Sequence, residues 1–125
     1  MLFVGLSTGQ IFYYKKRNMD SKLLVYPGTK EQLDLVELTS PQAHKGMVRK
    51  MIYTQIDGLS VLISASADRT IKLWEPKNNK TNKCFQTIIG HKGSILDMVY
   101  IEKVQLLVTS STDRTMRIWR IDKAR

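Results

Sequence analysis

Serine, histidine and aspartate in one neighbourhood are the raw material of acyl transfer: a nucleophile, a base, and a group that orients the base. The chain of 125 residues carries this combination twice. His44 is followed by Asp68 and His91 by Asp113, with Ser and Thr residues between them. A catalytic triad is needed once, in one cleft beside an oxyanion site. Here the combination returns at the same place in a repeated motif, which is the mark of a packing device. No catalytic residue and no cofactor site are expected, and the chain is read as a non-enzyme. No metal site is expected either, because the single Cys84 and two histidines cannot build a structural zinc centre alone.

The elements that hold these residues are legible from the repeat. Leu62-Ile-Ser-Ala-Ser-Ala-Asp68-Arg-Thr-Ile-Lys-Leu-Trp74 returns as Leu107-Val-Thr-Ser-Ser-Thr-Asp113-Arg-Thr-Met-Arg-Ile-Trp119, at an offset of 45, with six of thirteen positions identical. Each copy reads as strand, polar turn, strand. An Asp at such a turn bonds nearby backbone N–H groups, and the second strand has β-branched and aromatic content. A stacked supersecondary unit follows, since one unit cannot bury its own faces.

A second shared stretch precedes each copy. His44-Lys-Gly-Met-Val-Arg-Lys-Met-Ile-Tyr53 matches His91-Lys-Gly-Ser-Ile-Leu-Asp-Met-Val-Tyr100 at an offset of 47. The two extra residues must lie between Tyr53 and Leu62, where Asp57-Gly58 is a good turn pair and a hairpin loop tolerates a length change. Cys84-Phe-Gln-Thr-Ile-Ile89 reads as a fourth strand, after a polar linker over 78–83. At the other end, Leu2 to Tyr14 aligns with Leu62 to Trp74 at an offset of 60, with Thr8 and Gly9 in place of the Asp-Arg pair. Leu35-Val-Glu-Leu38 reads as the outer strand of this unit. An insertion of 13 residues is expected within 15–30, where Pro27-Gly28 marks a turn.

These residues resemble the WD40 repeat, over both full copies and more faintly over the first. The family pattern is a Gly-His pair, a spacer and a Trp-Asp pair, with four strands, a to d, per propeller blade. Gly90-His91 keeps the first pair, and Ala43-His44 has Ala for Gly. Trp74-Glu75 keeps the acid, and Trp119-Arg120 does not. The resemblance implies an all-β fold, a segment of about two and a half four-stranded antiparallel blades. Residues 1–43 would be a partial blade with strands b, c and d, residues 44–90 a full repeat, and residues 91–125 a repeat without its outer strand. It also implies two structural tetrads, hydrogen-bonded through His44, Ser64, Asp68 and Trp74, and through His91, Thr109, Asp113 and Trp119. Ser66 is the alternative to Ser64.

The resemblance implies a scaffold that binds other proteins within an intracellular complex. Candidate partner contacts are Lys45, Met47, Arg69, Lys92, Ser94 and Arg114, on the face carrying the d–a and b–c connections. The net charge of +9 supplies the other reading. Lys15, Lys16 and Arg17, then Lys77, Lys80 and Lys83, then Arg120, Lys123 and Arg125, all follow strand c. They would form a basic rim able to meet nucleic acid or another anionic surface. The lone cysteine fits a reducing, cytoplasmic or otherwise intracellular compartment. No apolar run is long enough to span a bilayer, and no secretion signal is recognisable, so no membrane insertion is expected. Fewer than three full blades cannot close a propeller. The remaining blades, from the same protein or another chain, are expected to complete it, and the 125 residues alone are not expected to form a stable soluble monomer.

Overall fold

The turn residues divide the chain into hairpins, and the hairpins into three sheets. The computed structural model describes residues 2–16, 33–37, 43–76 and 84–121. The first sheet contains β1 (Leu2–Gly5), β2 (Ile11–Lys16) and β3 (Leu33–Glu37). The second contains β4 (Val48–Ile56), β5 (Leu59–Ser66), β6 (Thr70–Trp74) and β7 (Cys84–Ile89). The third contains β8 (Ile95–Ile101), β9 (Leu106–Ser111) and β10 (Met116–Arg120). In every sheet, strands adjacent in the chain are adjacent in space and antiparallel. The described residues contain no helix. Most of the expected insertion, and the linker over 78–83, lie outside the described residues.

Register repeats with the sequence. Leu62 pairs with Trp74, Leu107 with Trp119 and Leu2 with Tyr14. Cys84–Ile89 is the fourth strand of the second sheet, as the apolar run predicts. The outer strand of the first sheet is Leu33–Glu37, two residues earlier at its start and one at its end than the segment 35–38.

The two extra residues of the second unit do not enlarge a loop. Asp57 and Gly58, both at positive φ (52° and 82°), form a two-residue turn between Ile56 and Leu59. The third sheet joins Ile101 to Leu106 by a four-residue turn. An Asp-Gly pair satisfies the left-handed geometry that matches strand twist, so the shorter turn is favoured and the strands absorb the length.

Both inner strands carry a β-bulge at the same place, at Arg49 in β4 and Leu96 in β8. Ile95 and Met98 are both buried although three residues apart, which strict alternation forbids. The bulge inserts the residue that restores the facing.

The core lies between sheets. One cluster joins Ile11 and Tyr13 of the first sheet to Leu62 and Trp74 of the second, with Ala43. The other joins Ile63, Ala65, Ile71 and Leu73 of the second to Ile95, Met98 and Leu107 of the third. Neighbouring β5 residues therefore serve opposite cores, and six consecutive residues, Val61 to Ser66, are buried. That two-sided burial explains why β5 reads as a continuous apolar-to-small run.

Candidate functional site

His44 enters the second sheet from a connection tied to the first, its N–H donating to the Gly9 carbonyl at 2.8 Å. The β5–β6 turn comes up beside it. Ser66 Oγ accepts from the Asp68 N–H at 2.9 Å and donates to the Gly46 carbonyl at 3.1 Å. The turn thereby aims the Asp68 carboxylate back at the imidazole. Gly46 and Gly93 permit this approach. A β-carbon at Gly93 would lie 2.8 Å from the Asp113 nitrogen and 2.3 Å from Thr112 Oγ1.

The resulting chain of hydrogen bonds runs from the indole to the turn. Trp74 Nε1 donates to Ser64 Oγ at 2.9 Å, and Ser64 Oγ lies 2.7 Å from His44 Nε2. His44 Nδ1 lies 3.0 Å from Asp68 Oδ2. A carboxylate only accepts, so the neutral ring carries its proton on Nδ1 and accepts from the Ser64 hydroxyl at Nε2. The third sheet repeats the arrangement: Trp119 Nε1 donates to Thr109 Oγ1 at 2.9 Å, Thr109 Oγ1 lies 2.7 Å from His91 Nε2, and His91 Nδ1 lies 3.1 Å from Asp113 Oδ2. Ser66 is not in the chain; it holds the turn. Each member satisfies a buried neighbour, and an unpaired one would cost about 1–3 kcal/mol.

Electrostatics follow from burial and from the donors. Burial pushes His44 below its ordinary value, outweighing the pull of Asp68. Burial alone would raise Asp68. The Thr70 hydroxyl, the N–H groups of Lys45 and Thr70, and His44 more than offset it and hold the carboxyl at about 2. The Thr115 hydroxyl, ahead of the other donors, keeps Asp113 well below the usual carboxylate range. Thr70 and Thr115 are thus fifth members that the four-residue sets omit. In the sequence, the spacing Ser66-x-Asp68-x-Thr70, repeated as Ser111-x-Asp113-x-Thr115, is the signal that could have found them.

This geometry has little to offer catalysis. Ser64 and Thr109 are buried, each receives an indole N–H, and each is spent on a histidine. Neither hydroxyl can meet a substrate. Among the described residues, no three His, Cys, Asp or Glu side chains come close enough to hold a metal ion.

The side of the sheets that carries the β5–β6 and β9–β10 turns also carries the candidate contacts. Lys45, Met47, Arg69, Lys92 and Arg114 are exposed there. Among the described residues none of the four cations makes an ion pair. Ser94 differs: the residue is half-buried, and its Oγ is buried without a hydrogen-bond partner. Arg69 and Lys92 meet at a cleft of about 440 Å³, together with Asp68, Thr70, Ile89 and His91. Ile89, at the end of β7, escapes sequence reasoning because its run reads simply as a strand. Of the basic rim expected after strand c, Lys15, Lys16 and Arg120 instead lie within β2 and β10, which run further than the apolar residues suggest, and Arg17, Lys77, Lys80, Lys83, Lys123 and Arg125 lie outside the described residues.

Sheets of sequential antiparallel strands that pack face to face, with His44 and His91 leading into the second and third beside the β5–β6 and β9–β10 turns, define the blades of a β-propeller segment. The WD domain, G-beta repeat family matches residues 36–75 and 82–120, more than half of the chain, and the protein belongs to the WD40 family. Members of this family generally act as non-catalytic scaffolds that bind other proteins. Comparison with curated proteins gave no match. Among the described residues no helix is long and apolar enough to cross a membrane.

Proposed function

We propose that this chain is a non-catalytic scaffold that holds partner proteins within an intracellular complex, through the face bearing Lys45, Met47, Arg69, Lys92 and Arg114. The observation behind this reading is a surplus of charge. Asp68 and Asp113 lie on the same side, yet each carboxylate is already occupied by a histidine, a backbone N–H and a threonine. The four cations therefore remain available to a partner. A rigid sheet stack with exposed, unpaired cations and the exposed Met47 suits recognition of a complementary surface.

The test replaces the four cations with Ser in one chain and compares proteins crosslinked to it in cells with those crosslinked to the wild type. Loss of most wild-type partners is expected. An unchanged set at unchanged yield would sink the reading. Closure of the propeller by further blades, of the same or another chain, belongs to the same proposal. It is motivated by the apolar face of the third sheet, against which no other sheet packs among the described residues and where Val99 and Ile118 are 58% and 62% exposed.

The alternative is binding of nucleic acid or another anionic surface by the basic rim after strand c. It rests on sequence placement, since most of that rim lies outside the described residues. Affinity falling steeply with salt would be its signature.

A further inference from the structure

Within the proposed partner-binding face, we infer that the cleft between the β5–β6 turn and the β7–β8 connection is a docking site for an acidic peptide segment. A carboxylate of the peptide would sit between Arg69 and Lys92, and a neighbouring aliphatic side chain would cover Ile89. The inference depends on the scaffold reading and adds the chemistry of the partner to it.

Four observations support it. The cleft has a volume of about 440 Å³, room for several side chains rather than a single ion. Its one lining carboxylate is not available to its cations. Asp68 Oδ1 accepts from the Thr70 N–H at 2.9 Å and the Thr70 hydroxyl at 2.6 Å, and Oδ2 accepts from the Lys45 N–H at 2.9 Å and faces His44 Nδ1 at 3.0 Å. Arg69 and Lys92 make no ion pair among the described residues, so two full positive charges border the cleft without an internal counter-charge.

The third observation is in the backbone. Arg69 lies at φ 77°, the left-handed region that favours glycine. The first sheet supplies an internal comparison. Gly9, at the position equivalent to Arg69, takes φ 95° in the corresponding turn. Glycine at position 9 answers to the nearby His44 carbonyl as well as to φ, and the third sheet also carries an arginine, Arg114, at φ 70°. An arginine kept in a strained position is an observation from which function is argued, and here the side chain reaches a cleft.

The fourth is Ile89, which is 75% exposed at the same cleft. An aliphatic side chain beside two cations suits a peptide that alternates acid with apolar residues. It does not suit a polynucleotide, which calls for cations tracking a phosphate backbone and for aromatic stacking platforms. The cleft lining contains no aromatic side chain other than the imidazole of His91, and both nitrogens of that ring are engaged internally.

The test measures fluorescence anisotropy of a labelled octapeptide alternating Glu and Leu, titrated with the whole chain. Octapeptides alternating Gln and Leu, and Glu and Ser, serve as controls, with a labelled twelve-residue oligothymidylate alongside. The Glu–Leu peptide is expected to bind at least about tenfold more tightly than either control peptide, and Arg69→Glu or Lys92→Glu to weaken it by about tenfold or more, as loss of a charge-assisted hydrogen bond implies. Ile89→Ser should weaken it by roughly threefold or more through lost apolar contact. Lys103→Glu, on the opposite side of the sheets, should leave it unchanged. Emission from Trp74 and Trp119 checks that each variant is folded. Arg69→Gly, the residue that the first sheet uses, stands in if the charge reversal disturbs the turn.

Three results would overturn the inference: equal binding of the Glu–Leu and Gln–Leu peptides, binding that ignores Arg69 and Lys92, or oligothymidylate displacing the peptide from the wild type with steep salt dependence. The scaffold reading fails separately. If the peptides fail while the four-cation variant still loses its cellular partners, only the acidic-segment chemistry is wrong.

Discussion

At His44 the proton balance sets a pH dependence. The folded state disfavours the imidazolium because the ring is buried, so its pKa lies below 6.5 while the unfolded chain titrates near 6.5. Below that pH the unfolded state binds more protons, and stability falls. Asp68 acts in the same direction at lower pH, since its folded value of about 2 lies below the ordinary 3.8. Stability from Asp68 is therefore present above about 3.8 and is lost as pH falls toward 2. It amounts to on the order of 1–2 kcal/mol after allowance for solvent screening. Asp113, also held low, adds to the second stage. Urea midpoints followed by tryptophan emission should thus be level above pH 7, decline below about 6.5, and drop more steeply below about 4. A midpoint that stays flat or rises between pH 7 and 5 would contradict the assignment of His44.

The β-turns show how one element solves the same problem with different residues. Gly9, Arg69 and Arg114 occupy equivalent left-handed positions, with φ of 95°, 77° and 70°. They are not interchangeable. A β-carbon at Gly9 would lie 1.9 Å from the His44 carbonyl oxygen, which accounts for glycine there beyond its φ. Gly9→Ala should lower stability by roughly 2 kcal/mol or more, since both the φ and the contact are violated. Arg69→Gly should shift it by less than about 1 kcal/mol, relief of φ offsetting the added freedom of the unfolded chain. Thermal unfolding midpoints of the two variants decide it, and equal losses would refute the difference. Much of this was legible in the sequence, because the Asp-Arg-Thr turns, the Asp57-Gly58 pair and the run Cys84–Ile89 carry local chemistry that any context must respect. The bulges at Arg49 and Leu96 were not legible, since neither residue has a type that demands a bulge; packing between sheets imposes it. The exposure of Ile89 was hidden for a related reason, because alternation gives facing along a strand and not what covers each face. The hydroxyl in the His44 chain was ambiguous too: Ser64 and Ser66 project to the same face of β5, and only the geometry of the turn tells them apart.

Taken whole, the molecule is one interface used repeatedly. Ile63, Ile71 and Leu73 of the second sheet are buried in the cluster shared with the third. Their counterparts at the repeat offset are Val108, Met116 and Ile118, and Met116 is 70% exposed. The third sheet thus offers a ready-made apolar surface with no sheet against it among the described residues, and surfaces of this kind drive association. The chain should sediment as concentration-dependent assemblies, and Val99→Lys with Ile118→Lys should shift it toward monomer without altering the buried Trp74. A sharp monomeric species of the wild type at all concentrations would count against this. The sequential order of strands within each sheet also sets an order in time. A chain emerging from a ribosome presents β4 to β7 before β8 exists, so Ile63, Ile71 and Leu73 wait uncovered until the next sheet arrives to cap them. Each blade is the template that the next one quenches, and synthesis passes the exposed stripe forward from sheet to sheet.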